Sequence, residues 1–210
     1  MRKAIVSIGA GPQRRLLALS RRTFAPYARH HGWALELRTE MPPGLGRPAP
    51  WAKIAVLREL SSRYDLLCWL DADLMIVDPR ADIADALAPD ADLGLVEHSF
   101  AGKRMPNSGV LLLRGGRPGR EFCDAVWALQ QYTDHRWWEN AAICELLGYD
   151  LDPPRPVRDT PLRARTTFLD PRWNSIPDAP AAQPYVRHYP GYSVKTRWAL
   201  MARDLVVRRR

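Results

Sequence analysis

Short apolar runs alternate along this chain with stretches whose apolar residues recur at helical spacing. Lys3–Ile8, Trp33–Leu37, Leu66–Leu70 and Leu93–Val96 are too short for helices, and Leu66–Leu70 lacks any polar alternation, the mark of a strand covered on both faces. Val110–Leu113 is a further run, preceded by polar Asn107 and Ser108. Gln13–His31 carries Leu16, Leu17, Leu19, Phe24 and Tyr27 on a helical stripe, with a kink expected at Pro26 and a stop at Gly32. Trp51–Arg63 sets Ile54, Ala55, Leu57 and Leu60 on another stripe, next to Pro50, a good first-turn residue. Ile83–Leu87, Glu121–Tyr132, Trp137–Gly148 and the tail from Thr196 complete the expected helices. Strands alternating with helices predict an α/β fold with a mostly parallel central sheet. Prolines gather at Met41–Pro50 and Pro153–Pro161, the expected long loops. No repeat or second domain is visible, so residues 1–210 are expected to form one domain.

In open α/β sheets ligands bind beyond the carboxyl ends of the strands. Asp71 and Asp73 stop the Leu66–Leu70 run at such an end. Two carboxylates this close repel unless a positive charge lies between them, and a hard divalent cation with oxygen ligands suits that place. On this stretch alone a solvated turn fits equally well.

The other polar candidates are also double-edged. The bend Gly9-Ala10-Gly11-Pro12 would let a nucleotide approach the backbone at Gly9, short of a full Gly-x-Gly-x-x-Gly. Lys53, near a helix N-terminus, could face an anion or simply be solvated. Asn107 and Ser108 could line a pocket or form an Asx-turn, with Gly109 allowing close approach. Trp137, Trp138, Glu139 and Asn140 offer apolar faces and hydrogen-bonding groups that suit a sugar, or else core, rim and a dipole-complementing acid. His98 could face substrate, though a lone histidine at a strand end is more often structural, and His188 ends another short apolar approach.

Lysine and arginine exceed the acids to give a net charge of +8. The arginines are scattered, apart from Arg208-Arg209-Arg210, and no nucleic-acid signature accompanies them, so nucleic acid is not an expected partner. Cys68, Cys123 and Cys144 lie in apolar surroundings without a Cys-x-x-Cys, as reduced core residues of a cytoplasmic protein would. The N-terminal apolar run is too short for a signal peptide, and no stretch is long enough to span a bilayer. The tail helix, with Trp198, Met201 and Leu205 on one face, could rest on the inner membrane surface or pack on its own domain.

The order of these elements is more specific than any one of them. Trp51-Ala52-Lys53-Ile54, Trp69-Leu70-Asp71-Ala72-Asp73, Asn107-Ser108-Gly109-Val110, Trp138-Glu139-Asn140-Ala141-Ala142, Asp170-Pro171-Arg172-Trp173-Asn174 and His188-x-x-Gly191 together resemble a GT-A glycosyltransferase. Within that Rossmann-like nucleotide-diphospho-sugar transferase fold, the pattern looks like the galactosyl/mannosyl/xylosyltransferase group of the yeast Golgi mannan enzymes and plant xyloglucan xylosyltransferases. The resemblance implies a nucleotide-sugar donor, a saccharide or lipid-linked acceptor, and manganese, with magnesium as the alternative. It implies that Asp71, Asp73 and His188 hold the metal and that Lys53 lies on the nucleotide side. It further implies that Asn107, Ser108, Glu139, Asn140 and Asp170 line the sugar and acceptor pocket. Gly191 and Lys195 resemble a diphosphate-binding His-x-x-Gly…Lys…Trp element whose Gly–Lys gap is here one residue longer. The family is retaining, which makes Glu139 or a nearby carboxylate a candidate for steadying an oxocarbenium-like centre. Family members are anchored Golgi proteins with longer catalytic domains, so a trimmed, soluble, bacterial-type version is expected.

Two other readings compete. In Asp-x-Asp phosphatases the motif ends an N-terminal strand and carries Thr or Val two residues on, whereas here Leu74 and Met75 follow. A non-catalytic sugar-nucleotide or polysaccharide-binding protein would keep the fold without needing the metal residues.

Overall fold

The computed structural model describes residues 1–207; the run Arg208–Arg210 lies outside the described residues. Strands β1 (Lys3–Ile8), β2 (Ala34–Arg38) and β3 (Leu66–Leu70) are linked by helices α1 (Arg14–His31) and α2 (Ala52–Leu60). A short strand β4 (Leu74–Ile76) follows, then β5 (Leu93–Phe100) and β6 (Lys103–Arg114). Helices α3 (Gly116–Ala128) and α4 (Trp138–Leu146) come next, then the small strands β7 (Tyr149–Leu151) and β8 (Pro154–Pro156). A single turn α5 (Pro161–Ala164), β9 (Thr166–Phe168), β10 (Val186–His188) and α6 (Val194–Val207) complete the chain.

The main sheet runs β2-β1-β3-β6-β5-β9. Five strands point one way, and β6 alone is reversed, antiparallel to both β3 and β5. The expected parallel bias holds. The reversal arises because β5 and β6 form a hairpin, their strands separated only by Ala101 and Gly102.

β3 shows why the central run had no alternation. Leu67 and Trp69 pack with Ile54, Leu57, Phe122 and Ala142 on the α2–α3–α4 side. Leu66, Cys68 and Leu70 pack with Phe24 and Tyr27 on the α1 side. Each side chain is removed from water, at about 25 cal/mol per Å² of apolar area.

Several boundaries moved. β5 runs to Phe100 rather than Val96, and β6 starts at Lys103, so Asn107 and Ser108 lie within a strand instead of a turn before it. α3 begins at Gly116 and ends at Ala128, shifted toward the N-terminus from Glu121–Tyr132. The tail helix starts at Val194. The proline-rich stretch after Leu151 holds β8 and α5 rather than a plain loop. The three cysteines are buried and unpaired. Among the described residues, no helix is long and apolar enough to cross a membrane.

Candidate active site

β3 ends at Leu70, and the chain does not continue in the main sheet. Ser20 on α1 donates its hydroxyl to Ala72 O at 2.7 Å, and Thr23 Oγ1 accepts from Ile76 N at 3.2 Å. These contacts turn Leu74–Ile76 aside to pair antiparallel with β10, with His188 opposite Leu74. Tyr189 N then donates to Asp73 O at 3.2 Å. The two-stranded ladder thus carries a histidine more than a hundred residues away onto the aspartates.

Among the described residues, ligand atoms of Asp71, Asp73 and His188 all lie within 4.8 Å of one another. His188 Nε2 is 3.5 Å from Asp73 Oδ1 and 3.9 Å from Asp71 Oδ2. The remaining carboxylate oxygens are engaged. Asp71 Oδ1 accepts from Trp69 Nε1 at 2.6 Å and lies 3.3 Å from Lys53 Nζ. Asp73 Oδ2 is paired with Arg197 of α6 at 3.0 Å. One oxygen of each acid therefore faces the imidazole while the other is anchored. Burial alone pushes the Asp73 carboxyl up, but His188 and Arg197 outweigh it and hold the group below the usual carboxylate range.

This donor set fits a divalent cation. It offers two carboxylate oxygens and one imidazole nitrogen, ligand types that divalent cations take.

Behind Asp71 lies a buried ionic cluster. Lys53 is 3% exposed and donates to Ser108 O and Oγ, both at 3.0 Å, and to Glu139 Oε1 at 2.9 Å. Burial pulls its ammonium down, but Asp71 and Glu139 more than offset that and hold it above the ordinary lysine value. Burial pushes the Glu139 carboxyl up, against the pull of Lys53. Glu139 Oε2 is buried with no partner.

β5 and β6 shift register next to this cluster. Leu95 pairs with Leu111, but Val96 pairs with Asn107, so Ser108–Val110 fall out of step with β5. The freed Gly109 O accepts from Asp71 N at 2.9 Å. Gly109 has no room for a side chain, since a Cβ there would lie 2.3 Å from His188 Cε1 and 2.7 Å from its Nδ1.

No family model and no curated protein matches the sequence. Solved structures do match. A glycosyltransferase involved in glycosylation of the major capsid of PBCV-1 superposes with a TM-score of 0.74 at 16% identity, covering 97% of this chain and 100% of that one. Galactosyltransferase LgtC, solved with donor and acceptor sugar analogues, gives 0.59 at 13% identity, covering 98% and 95%. GlyE of Streptococcus pneumoniae gives 0.60 at 14% identity, covering 99% of this chain and 63% of that one. The chain has the GT-A fold.

The residues picked out from the sequence divide between buried and exposed positions. Lys53 is buried rather than solvated, and all three of its protons are spent inside the cluster. Asn140, expected to line the sugar and acceptor pocket, uses its amide on the β6 backbone, accepting from Ser108 N at 2.9 Å and donating to Pro106 O at 3.1 Å. Ser108 is buried at 2% exposure, with its hydroxyl held by Lys53. Gly9 makes room for α1, because a Cβ there would meet Leu17 Cβ at 2.6 Å. Asp170 is exposed and caps the 3-10 turn Pro171–Asn174 through Arg172 N at 2.9 Å. Lys195 and Gly191 are exposed, and Arg197 supplies the cation at Asp73. Two residues of the cluster were not singled out from sequence. Arg197 lies two positions beyond Lys195 on the same helix. Asn174 ended a quoted motif, but nothing in its neighbours marked it for His188.

Proposed function

We propose that this protein is a metal-dependent glycosyltransferase. It moves a hexose or pentose from a nucleotide-sugar, in the first instance a UDP-sugar, to a hydroxyl of a saccharide or lipid-linked acceptor, with retention at the anomeric centre. The observation that carries this reading is the convergence of Asp71, Asp73 and His188 beyond the end of β3 on a GT-A fold. Asp71 Oδ2, Asp73 Oδ1 and His188 Nε2 would hold a manganese ion. When bound, that ion supplies a Lewis acid that neutralises charge developing on the departing diphosphate.

The protein's own groups do the rest. Lys53 and Trp69 fix Asp71, and Arg197 fixes Asp73, so the acids present one oxygen each without rotating away. Glu139 holds Lys53 beside Asp71 through its Oε1. The Asn107 side chain uses only its oxygen internally, which leaves its amide protons for the sugar. Low solvent exposure at Asp73, Glu139 and His188 strengthens each of these interactions.

The test is a panel of UDP- and GDP-sugars incubated with the protein and manganese, with sugar release followed over time. Release is expected from at least one donor and should stop on chelation and in Asp73→Ala. Turnover that survives both treatments removes the metal from the mechanism. Donor binding without turnover on any acceptor would instead favour a non-catalytic sugar-nucleotide-binding protein.

A further inference from the structure

His188 reaches the aspartates through Nε2, so the value of the ring as a ligand depends on which nitrogen carries its proton. The surrounding amides decide this, and the decision traces back to backbone groups whose hydrogen-bonding character is fixed. Gly109 N is a donor, and it lies 2.9 Å from one side-chain atom of Asn107. That atom must be the acceptor, Oδ1. One end of the Asn174 amide lies 3.0 Å from this oxygen and 3.3 Å from the backbone carbonyl of Asn107. Two acceptors facing it require that end to be the donor, Nδ2. The other end is therefore Oδ1, and it lies 3.0 Å from His188 Nδ1. An amide oxygen only accepts, so His188 Nδ1 must carry the proton.

We propose that Asn174 is a positioning residue that fixes His188 as the Nδ1–H tautomer and turns the lone pair of Nε2 toward Asp71 and Asp73. The relay runs Gly109 N to Asn107, Asn107 to Asn174, and Asn174 to His188. Every member is tightly held. Asn174 is fully buried, His188 is 4% exposed, and the ring rests against Gly109 where no side chain would fit. Asn174 itself sits at the end of a short turn capped by Asp170, beside the rings of Trp173 and Tyr185, which meet at a tilt of 34°. The role of the ring as a ligand rests on the glycosyltransferase reading above; the tautomer does not.

The experiment separates the two. The metal-free protein is labelled with 15N-histidine, and two-bond proton–nitrogen correlations are recorded in slightly alkaline solution, with His188→Gln assigning the signals. The wild type is expected to show a pyrrole-type Nδ1 and a pyridine-type Nε2 at His188. An Nε2–H tautomer in the wild type overturns the proposal whatever the variants do. Asn174→Asp keeps an acceptor for Nδ1–H and should retain the tautomer. Asn174→Leu removes it and should release the ring into the Nε2–H form. By calorimetry, manganese affinity should fall roughly 10- to 100-fold in Asn174→Leu and stay close to wild type in Asn174→Asp. Wild-type tautomer and affinity in a folded Asn174→Leu would sink the assignment. Should that variant fail to fold, the wild-type tautomer and Asn174→Asp still decide. If no form binds manganese but the wild type shows Nδ1–H, the relay stands and the metal reading falls.

Discussion

Lys53 illustrates how far a residue's neighbours in sequence can mislead about its surroundings. An ammonium in the first turn of a helix after a proline-rich loop looks like a surface cation. In the fold it is enclosed by Ser108, Asp71 and Glu139, from three separate elements. Replacing it with methionine keeps most of the volume but strands two carboxylates. Lys53→Met should lower unfolding free energy by about 3–5 kcal/mol in a urea titration. The double variant Lys53→Met/Glu139→Leu should recover part of that loss, because one of the stranded charges goes with it. A loss below about 1 kcal/mol in the single variant would mean that the cluster is hydrated rather than buried. The sequence did carry a hint: Ala52, Lys53, Ile54, Val56 and Leu57 are all buried, so α2 is covered on more than a single stripe. A wide apolar face turns any lysine within it into a candidate for internal pairing.

At the scale of elements, α6 decides how firmly β10 is held. Asp204 on α6 is 4% exposed and accepts from the Tyr189 hydroxyl and from Arg187 Nη1, the latter at 2.9 Å. With Arg197 on Asp73, this makes two ionic fasteners between the helix and the aspartate–histidine cluster. Asp204→Ala leaves the buried Tyr189 hydroxyl without its acceptor, at a cost of about 1–3 kcal/mol. Amide hydrogen exchange should then rise along Val194–Val207 and at His188, while β1 and β3 keep wild-type protection. Unchanged protection of α6 would show that its apolar contacts through Met201 and Leu200 hold it unaided. The tail helix itself was legible from Trp198, Met201 and Leu205. Its partner was not: β4 and β10 have three residues each, and their pairing spans more than a hundred positions. Local pattern reports that a segment is extended; it does not report which distant segment will take its hydrogen bonds. The same holds for β6, whose apolar run was evident while its reversed direction was not.

The whole molecule carries a pH signature through His98. This residue of β5 is 3% exposed, and burial, helped by nearby His188, depresses its pKa to about 4. The unfolded chain takes up the proton near the ordinary histidine value of 6.5, so between pH 6.5 and 4 the unfolded state binds more protons than the folded one. Stability therefore falls as pH drops through that window and is fully present above it. The effect should reach roughly 2–3 kcal/mol by the lower end, at about 1.36 kcal/mol per pH unit. His98→Leu should flatten that part of the stability–pH curve, measured by urea unfolding at a series of pH values. An equally steep curve in the variant would place the acid sensitivity elsewhere.

The short ladder between β4 and β10 also sets an order of events during synthesis. The six strands of the main sheet are all translated by Phe168, whereas His188 and Arg197 emerge afterwards. A nascent chain can thus complete its central layer while the aspartates still lack their imidazole and their guanidinium. Capture of a cation therefore waits on the pairing of β10 with β4, a contact that closes a loop of more than a hundred residues.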